Sequence, residues 1–121
     1  MGHFQDVANE LRAPARDMRH AIPDTMSAFV DLHHAAMADG ALSRKVKELI
    51  ALSIAVVERC DGCVASHARG AAAAGATQAE VAEAMGVAVL MNGGPATVWG
   101  PRALSAFKEY ATPQTDTPAE S

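Results

Sequence analysis

The apolar residues of this chain recur at helical spacing, and its valines and isoleucines never form the alternating runs that a half-buried strand requires. Alanine, the strongest helix former, supplies much of the apolar content, while aromatic residues make up only 4% of the 121 residues. A chain of this length can bury one hydrophobic core but not two. We therefore predict an all-α fold, a single-domain bundle of five to six helices.

Capping residues, glycines and prolines divide the chain into segments. The predicted helices span residues 3–20, with an interruption at Pro14, then 24–37, 43–57, 63–74 behind an Asp61 N-cap, 77–92, and 96–110 after a break at Gly93-Gly94-Pro95. Residues 49–57 are apolar nearly all round, which favours a helix at the centre of the fold. We expect residues 1–111 to form the helical domain and residues 112–121, rich in Thr, Pro and acidic side chains, to be a disordered tail.

The charge and hydropathy of the sequence argue against a nucleic-acid partner and against a membrane partner. The formal net charge is −4 and the basic residues are scattered along the sequence, so the basic stripe typical of nucleic-acid binding is not expected. The first twenty residues lack the apolar core of a signal peptide, and the apolar run 49–57 is too short to span a bilayer. We predict a cytoplasmic protein with neither a nucleic-acid nor a membrane partner.

Cys60 and Cys63 are the only cysteines, and His67 follows Cys63 by one helical turn. Structural disulfides in small secreted domains join distant segments, whereas this pair would close a very small loop. A CxxC pair in a reducing compartment is typical of redox-active or metal-binding sites. On a helix, His67 falls between the two cysteines in azimuth and neighbours Cys63 on one face.

This spacing suits thiol chemistry. The N-terminus of a helix favours the thiolate form of Cys63, and a second thiol one turn away can close a disulfide with it. Zinc is the alternative, but Cys60, Cys63 and His67 supply three ligands and structural zinc sites usually take four. The fourth ligand would have to come from a histidine elsewhere in the chain: His3, His20, His33 or His34. We predict no metal and no cofactor.

Together these residues resemble the alkylhydroperoxidase AhpD-like branch of the carboxymuconolactone decarboxylase family. The resemblance covers residues 29–110 and includes Glu48, twelve residues before the first cysteine, Cys60-x-x-Cys63-x-x-x-His67, and the segment 73–81 with its glycine and capping box. It implies an all-α fold assembled as a homo-oligomer, a trimer or hexamer. It also implies a cofactor-free oxidoreductase that reduces hydroperoxides and is restored by a dithiol reductant.

Site roles follow from the resemblance. Cys63 would attack the peroxide, Cys60 would resolve the oxidised sulfur as a disulfide, and His67 and Glu48 would relay protons. The sequence departs from the best-known relay at Gly62, since that relay has a histidine immediately before the second cysteine. A shorter relay is therefore expected.

The sequence leaves open two alternative functions and the location of one further residue, His33. The family's other chemistry is decarboxylation of a lactone acid, in a branch that lacks the cysteine pair. A non-enzymatic redox-sensing or metal-binding dithiol protein is the second alternative. His33 lies on the apolar face of the second predicted helix, where it either enters the pocket or is a core histidine.

Overall fold

The computed structural model describes residues 2–111, which form six α-helices and no strand. The helices are α1 (His3–Ala21), α2 (Pro23–Met37), α3 (Arg44–Glu58), α4 (Asp61–Ala73), α5 (Gln78–Asn92) and α6 (Gly94–Ala111). The predicted all-α bundle is confirmed. The predicted tail, 112–121, lies outside the described residues. None of the six helices is long and apolar enough to cross a membrane.

The core lies between α3, α4, α5 and α6, with α1 packed across α4. Small side chains dominate it: Ala65, Ala68 and Ala71 of α4 are fully buried, and Ala103 and Ala106 of α6 face them within the same cluster. Short side chains at a helix contact reduce the distance between helix axes. This close packing explains how a chain with so few aromatic residues forms one continuous core.

Side chains cap the N-termini of α3 and α5. The Ser43 hydroxyl accepts a hydrogen bond from the backbone N–H of Val46 at 3.2 Å, and Thr77 and Glu80 form a reciprocal capping box. These side chains satisfy N–H groups that have no partner within the helix. The starts of α3 and α5 are therefore encoded locally.

Of two predicted breaks at proline and glycine, one is wrong and the other is shorter than expected. Pro14 lies inside α1 without interrupting it, and α6 already begins at Gly94. Proline is tolerated in the first turn of a helix because the N–H it lacks would be unpaired there, which explains why Pro95 does not delay α6. Only Gly93, with φ 77°, lies outside the helices in that segment.

The predicted central position of α3 is also wrong for the single chain. One face of α3 is buried at Leu52 and Val56, but Ile50 and Ile54 on the other faces are 46% and 57% exposed. Helix α2 has no buried residue at all, and Phe29 in its apolar stripe is 60% exposed. These exposed apolar side chains of α2 and α3 therefore form surface patches that no other part of the bundle covers.

The N-terminus of α1 is held by α6. The Glu109 carboxylate accepts hydrogen bonds from the backbone N–H groups of Phe4, at 3.1 Å, and Gln5, at 2.9 Å. A Cβ atom on Gly2 would overlap this carboxylate, so a larger residue there would displace the Glu109 side chain. The N-cap residue is Gly2, and a carboxylate 104 residues from Gln5 supplies the acceptor that a capping side chain normally provides.

Candidate redox site

The two cysteines lie where α3 passes into α4. The C-cap of α3 is Arg59, which adopts the left-handed conformation with φ 55°, and the next residue, Cys60, is the N-cap of α4. The Cys60 Sγ accepts a hydrogen bond from the backbone N–H of Cys63 at 3.2 Å. The predicted N-cap Asp61 is instead the first helical residue, and its carboxylate accepts from the N–H of Gly62 at 2.7 Å.

Cys60 and Cys63 form a disulfide, with their Cα atoms 5.2 Å apart. The two sulfurs are not equivalent, because Cys63 is exposed whereas Cys60 is half-buried. Cys63 also lies in the first turn of α4, where the unpaired N–H groups and the helix dipole stabilise a negative charge. Cys63 is therefore the sulfur that an incoming reagent meets first.

One turn beyond Cys63 on α4, His67 is hydrogen-bonded to a buried carboxylate of α3. Glu48 of α3 is 2% exposed, and its Oε1 is 2.9 Å from Nδ1 of His67 on α4. An ionised carboxylate can only accept, so Nδ1 donates to Glu48 and Nε2 is left to exchange a proton. His67 is partly exposed and so can meet a ligand.

Gly70 makes the approach of Glu48 possible. A Cβ atom at this position would overlap the Glu48 carboxylate, so α3 and α4 can place Glu48 beside His67 only if residue 70 has no side chain. Sequence reasoning missed Gly70. The sequence did contain a signal, because Gly70 lies within an alanine-rich helix. A glycine there destabilises the helix by about 1 kcal/mol relative to alanine, which indicates that the position needs a glycine for another purpose, such as close packing.

His33 of α2 lies on the open side of this pair. Its ring stacks on the ring of His67, with centroids 6.4 Å apart, and both rings line a cavity of about 380 Å³. The sequence was compatible with His33 either in the pocket or in the core, and in the structure His33 lines the pocket. Arg44, missed by sequence reasoning, lines the same cavity, and its Nη2 lies 3.7 Å from Oε2 of Glu48.

The structure thus brings Glu48, His67 and His33 together around one cavity, with the Cys60–Cys63 disulfide at the start of the helix that carries His67. Within residues 2–111 no group of three or more His, Cys, Asp or Glu side chains is arranged to hold a metal ion. The arrangement can perform thiol–disulfide exchange at an exposed sulfur, with an imidazole oriented by a buried carboxylate as the proton carrier.

An all-helical chain with a dithiol at a helix N-terminus and a buried Glu–His pair defines the class of protein. Residues 23–109 match the model of the carboxymuconolactone decarboxylase family, and the chain belongs to this family. An uncharacterised protein of Cupriavidus necator is 41% identical over 87 residues, which are 72% of this chain and 77% of that protein. An uncharacterised protein of the cox locus of Paracoccus denitrificans is 39% identical over 82 residues, covering 68% and 74%.

A solved structure agrees with the fold. The crystal structure of an apo carboxymuconolactone decarboxylase family protein from Legionella pneumophila superposes with a TM-score of 0.87 at 37% sequence identity. The match covers 90% of this chain and 97% of that chain. The family and the six-helix architecture are therefore established together.

Proposed function

We propose that this protein is a thiol-dependent antioxidant oxidoreductase that reduces hydroperoxides through a dithiol/disulfide cycle at Cys60 and Cys63. The observation that carries the proposal is the combination of an exposed Cys63 at a helix N-terminus with His67 one turn further along, where His67 is hydrogen-bonded to Glu48 of α3. Membership of the family, which the resemblance places beside AhpD-like peroxidases, supports it.

In the reduced protein, the Cys63 thiolate attacks one peroxide oxygen, the O–O bond breaks and an alcohol leaves with a proton supplied by His67. Cys63 is then a sulfenic acid. The sulfur of Cys60 attacks it, water leaves, and the disulfide forms. The two thiols supply two electrons, the hydroperoxide is reduced to alcohol and water, and a dithiol donor later restores both thiols.

The relay in this proposal has two members. Glu48 orients the His67 ring by accepting from Nδ1, and His67 exchanges protons directly with the bound peroxide or with solvent in the cavity. Gly62 has no side chain that could move a proton. Its closest neighbour is apolar, because a Cβ atom there would lie 2.9 Å from Cδ1 of Leu11.

The test is a count of free thiols before and after one equivalent of cumene hydroperoxide, on fully reduced protein. Wild type is expected to lose two thiols per chain, whereas Cys63→Ser keeps its remaining thiol. Cys60→Ser is expected to be oxidised once and to stall as the sulfenic acid, which dimedone traps. Sustained turnover by Cys63→Ser, or no thiol loss in wild type, would refute the proposal.

The alternatives have their own readouts. Decarboxylation of a lactone acid that survives in the double variant Cys60→Ser/Cys63→Ser would assign the chain to the family's other chemistry. Stoichiometric metal in the purified protein, or oxidation that changes assembly without turnover, would assign it to a non-enzymatic dithiol class.

The proposal extends to assembly and location. We propose a homo-oligomer, a trimer or hexamer as the resemblance implies, supported by the exposed apolar side chains of α2 and α3. We also propose a cytoplasmic protein with no nucleic-acid partner, since a dithiol that must be re-reduced suits a reducing compartment.

A further inference from the structure

A groove of about 670 Å³ between α1 and α4 is lined by four arginines. Arg12, Arg16 and Arg19 lie on one face of α1 because they follow each other by four and three residues, and Arg69 comes from α4. Spacing along α1 brings the first three together, and the packing of α1 on α4 adds Arg69 to them. The fold thus creates a concentrated positive surface that the sequence did not predict.

No acidic side chain lines this groove. Within residues 2–111, none of the three α1 arginines has an ion-pair partner, although the chain as a whole carries a formal net charge of −4. Guanidinium groups gathered in a concave surface repel one another and attract anions from solution. The groove is therefore suited to a ligand with several negative charges.

The groove leads to the redox site. Leu11, one of its lining residues, is the side chain that would meet a Cβ atom on Gly62, between the two cysteines. Ser66 and Arg69 line both the groove and the cavity that holds Glu48 and His67. A ligand whose charged part occupies the groove can thus extend a reactive arm to the exposed Cys63.

We infer that the groove binds the phosphate groups of a phosphorylated low-molecular-weight thiol that reduces the Cys60–Cys63 disulfide. Guanidinium groups match phosphate oxygens in bidentate pairs, and a ligand with several phosphates engages more than one arginine, whereas a single carboxylate engages one. The inference rests on the proposed function, and it assigns two molecules of this monothiol to the reduction step for which the resemblance implies a dithiol donor.

The chemistry balances with two thiol molecules. The thiolate of the first attacks Sγ of Cys63, a mixed disulfide forms, and the S–S bond to Cys60 breaks, leaving a Cys60 thiolate that takes up a proton. A second thiol attacks the donor sulfur of the mixed disulfide and releases Cys63 as a thiolate, which is protonated in turn. Two thiols become one disulfide, and their two electrons and two protons reduce the protein.

The experiment compares coenzyme A with pantetheine, which carries the same thiol arm without the phosphorylated nucleotide. The rate at which each reduces the oxidised protein is measured at low ionic strength by the appearance of protein thiols. We expect coenzyme A to react about tenfold faster with wild type, through electrostatic attraction to the groove, and the advantage to shrink as salt is added.

The variant Arg12→Gln/Arg16→Gln tests the groove itself. It leaves Arg69 intact because that residue also lines the redox cavity, and the substitutions lie on an exposed helix face. We expect the ratio of the two rates to fall to about one. Lys108→Gln removes one positive charge from α6 outside the groove and is expected to keep most of the wild-type ratio.

Adenosine 3′,5′-bisphosphate separates a phosphorylated thiol from a free phosphate ligand. As a competitor it should slow reduction by coenzyme A and leave reduction by pantetheine unchanged. Bisphosphate binding without any rate advantage for coenzyme A would assign the groove to a free phosphate ligand and overturn the inference. Equal wild-type rates for the two thiols, or a ratio that survives in the double variant, would overturn it too.

These outcomes are independent of hydroperoxide. If coenzyme A keeps its advantage while cumene hydroperoxide oxidises no thiol, the proposed function fails and the assignment of the thiol donor stands. If hydroperoxide oxidises both thiols and the two donors react equally, the assignment of the donor fails alone.

Discussion

Among residues 2–111, Glu48 is the only buried polar or charged side chain. A carboxylate buried without partners costs several kcal/mol, and here His67 and Arg44 offset that cost from two sides. Because burying this carboxylate is costly and a solvent-accessible imidazole lies beside it, a positioning role for Glu48 is favoured over a purely structural one.

Glu48→Gln tests this role with minimal change of shape. The amide can donate to Nδ1 of His67 as well as accept from it, so it no longer fixes which ring nitrogen carries the proton, and we expect oxidation of the reduced protein by hydroperoxide to slow by about tenfold or more. Stopped-flow kinetics measures this rate. Alkylation of Cys63 by iodoacetamide needs no proton delivery and should change little; an equal fall in both rates would indicate a structural effect instead.

Gly70→Ala should also damage the site, although alanine is the better helix former. The new Cβ atom overlaps the Glu48 carboxylate, so we expect a loss of about 1–3 kcal/mol in the free energy of unfolding and a fall in peroxide reactivity. The matched control is Gly86→Ala in α5, where a Cβ atom meets nothing within 4 Å. That variant should gain up to about 1 kcal/mol in urea unfolding; equal effects at the two positions would contradict the packing argument.

At the scale of elements, the docking of α1 depends on α6. Glu109→Ala removes the carboxylate that accepts from the N–H groups of Phe4 and Gln5, and we expect a loss of about 1 kcal/mol, as for other N-caps. Hydrogen exchange should show the first turn of α1 opening before the rest of the bundle. Glu109→Gln keeps an acceptor and should lose less; unchanged exchange in the alanine variant would show that packing alone holds α1.

The contact between α3 and α5 is sensitive to pH. The hydrogen bond from Lys45, at 2.9 Å, and the backbone N–H of Thr77 lower the pKa of Glu80 below its ordinary 4.5. A lowered folded-state pKa contributes stability that is present above about pH 4.5 and is lost as the pH falls through the folded value. Lys45→Met should therefore destabilise the protein at neutral pH, and the difference from wild type in urea unfolding should vanish in acid. A difference that persists in acid would refute this assignment.

At the scale of the whole molecule, α2 lacks any covering layer. It has no buried residue, and Phe29 and Leu32 are 60% and 62% exposed. We expect the protein in solution to have a mass three or six times that of the 12.6 kDa chain. Light scattering should show a smaller species for Phe29→Glu/Leu32→Glu, whereas Thr25→Glu on the same helix should keep the wild-type mass. A monomeric wild type would refute the expectation.

The parts of the fold and site that could be predicted are those encoded within one helix. The relation of Cys63 and His67 follows from helical spacing, and the caps at Ser43 and Thr77 follow from side chains that bond to amides three residues away. In both cases the number of residues between the two partners sets the distance between them, so the geometry can be predicted from the sequence.

What could not be predicted depends on how helices meet. The role of Glu48 is implied only by the family resemblance, because its approach to His67 depends on the packing of α3 on α4. The contributions of Gly70 and Arg44 could not be predicted for the same reason. The exposure of Ile54 on α3 was misjudged, since an apolar side chain is equally compatible with a core and with an interface.

The hydrogen bond from the Cys63 amide to the sulfur of Cys60 gives the molecule a spectroscopic reporter of its own. A disulfide sulfur, a neutral thiol and a thiolate differ in how strongly they accept a hydrogen bond, and the Cys63 amide points at that atom. The nitrogen and proton chemical shifts of this one backbone group should therefore take a distinct value at each stage of the cycle. Turnover could then be followed in an NMR tube, on the unmodified protein, by watching a single cross-peak move.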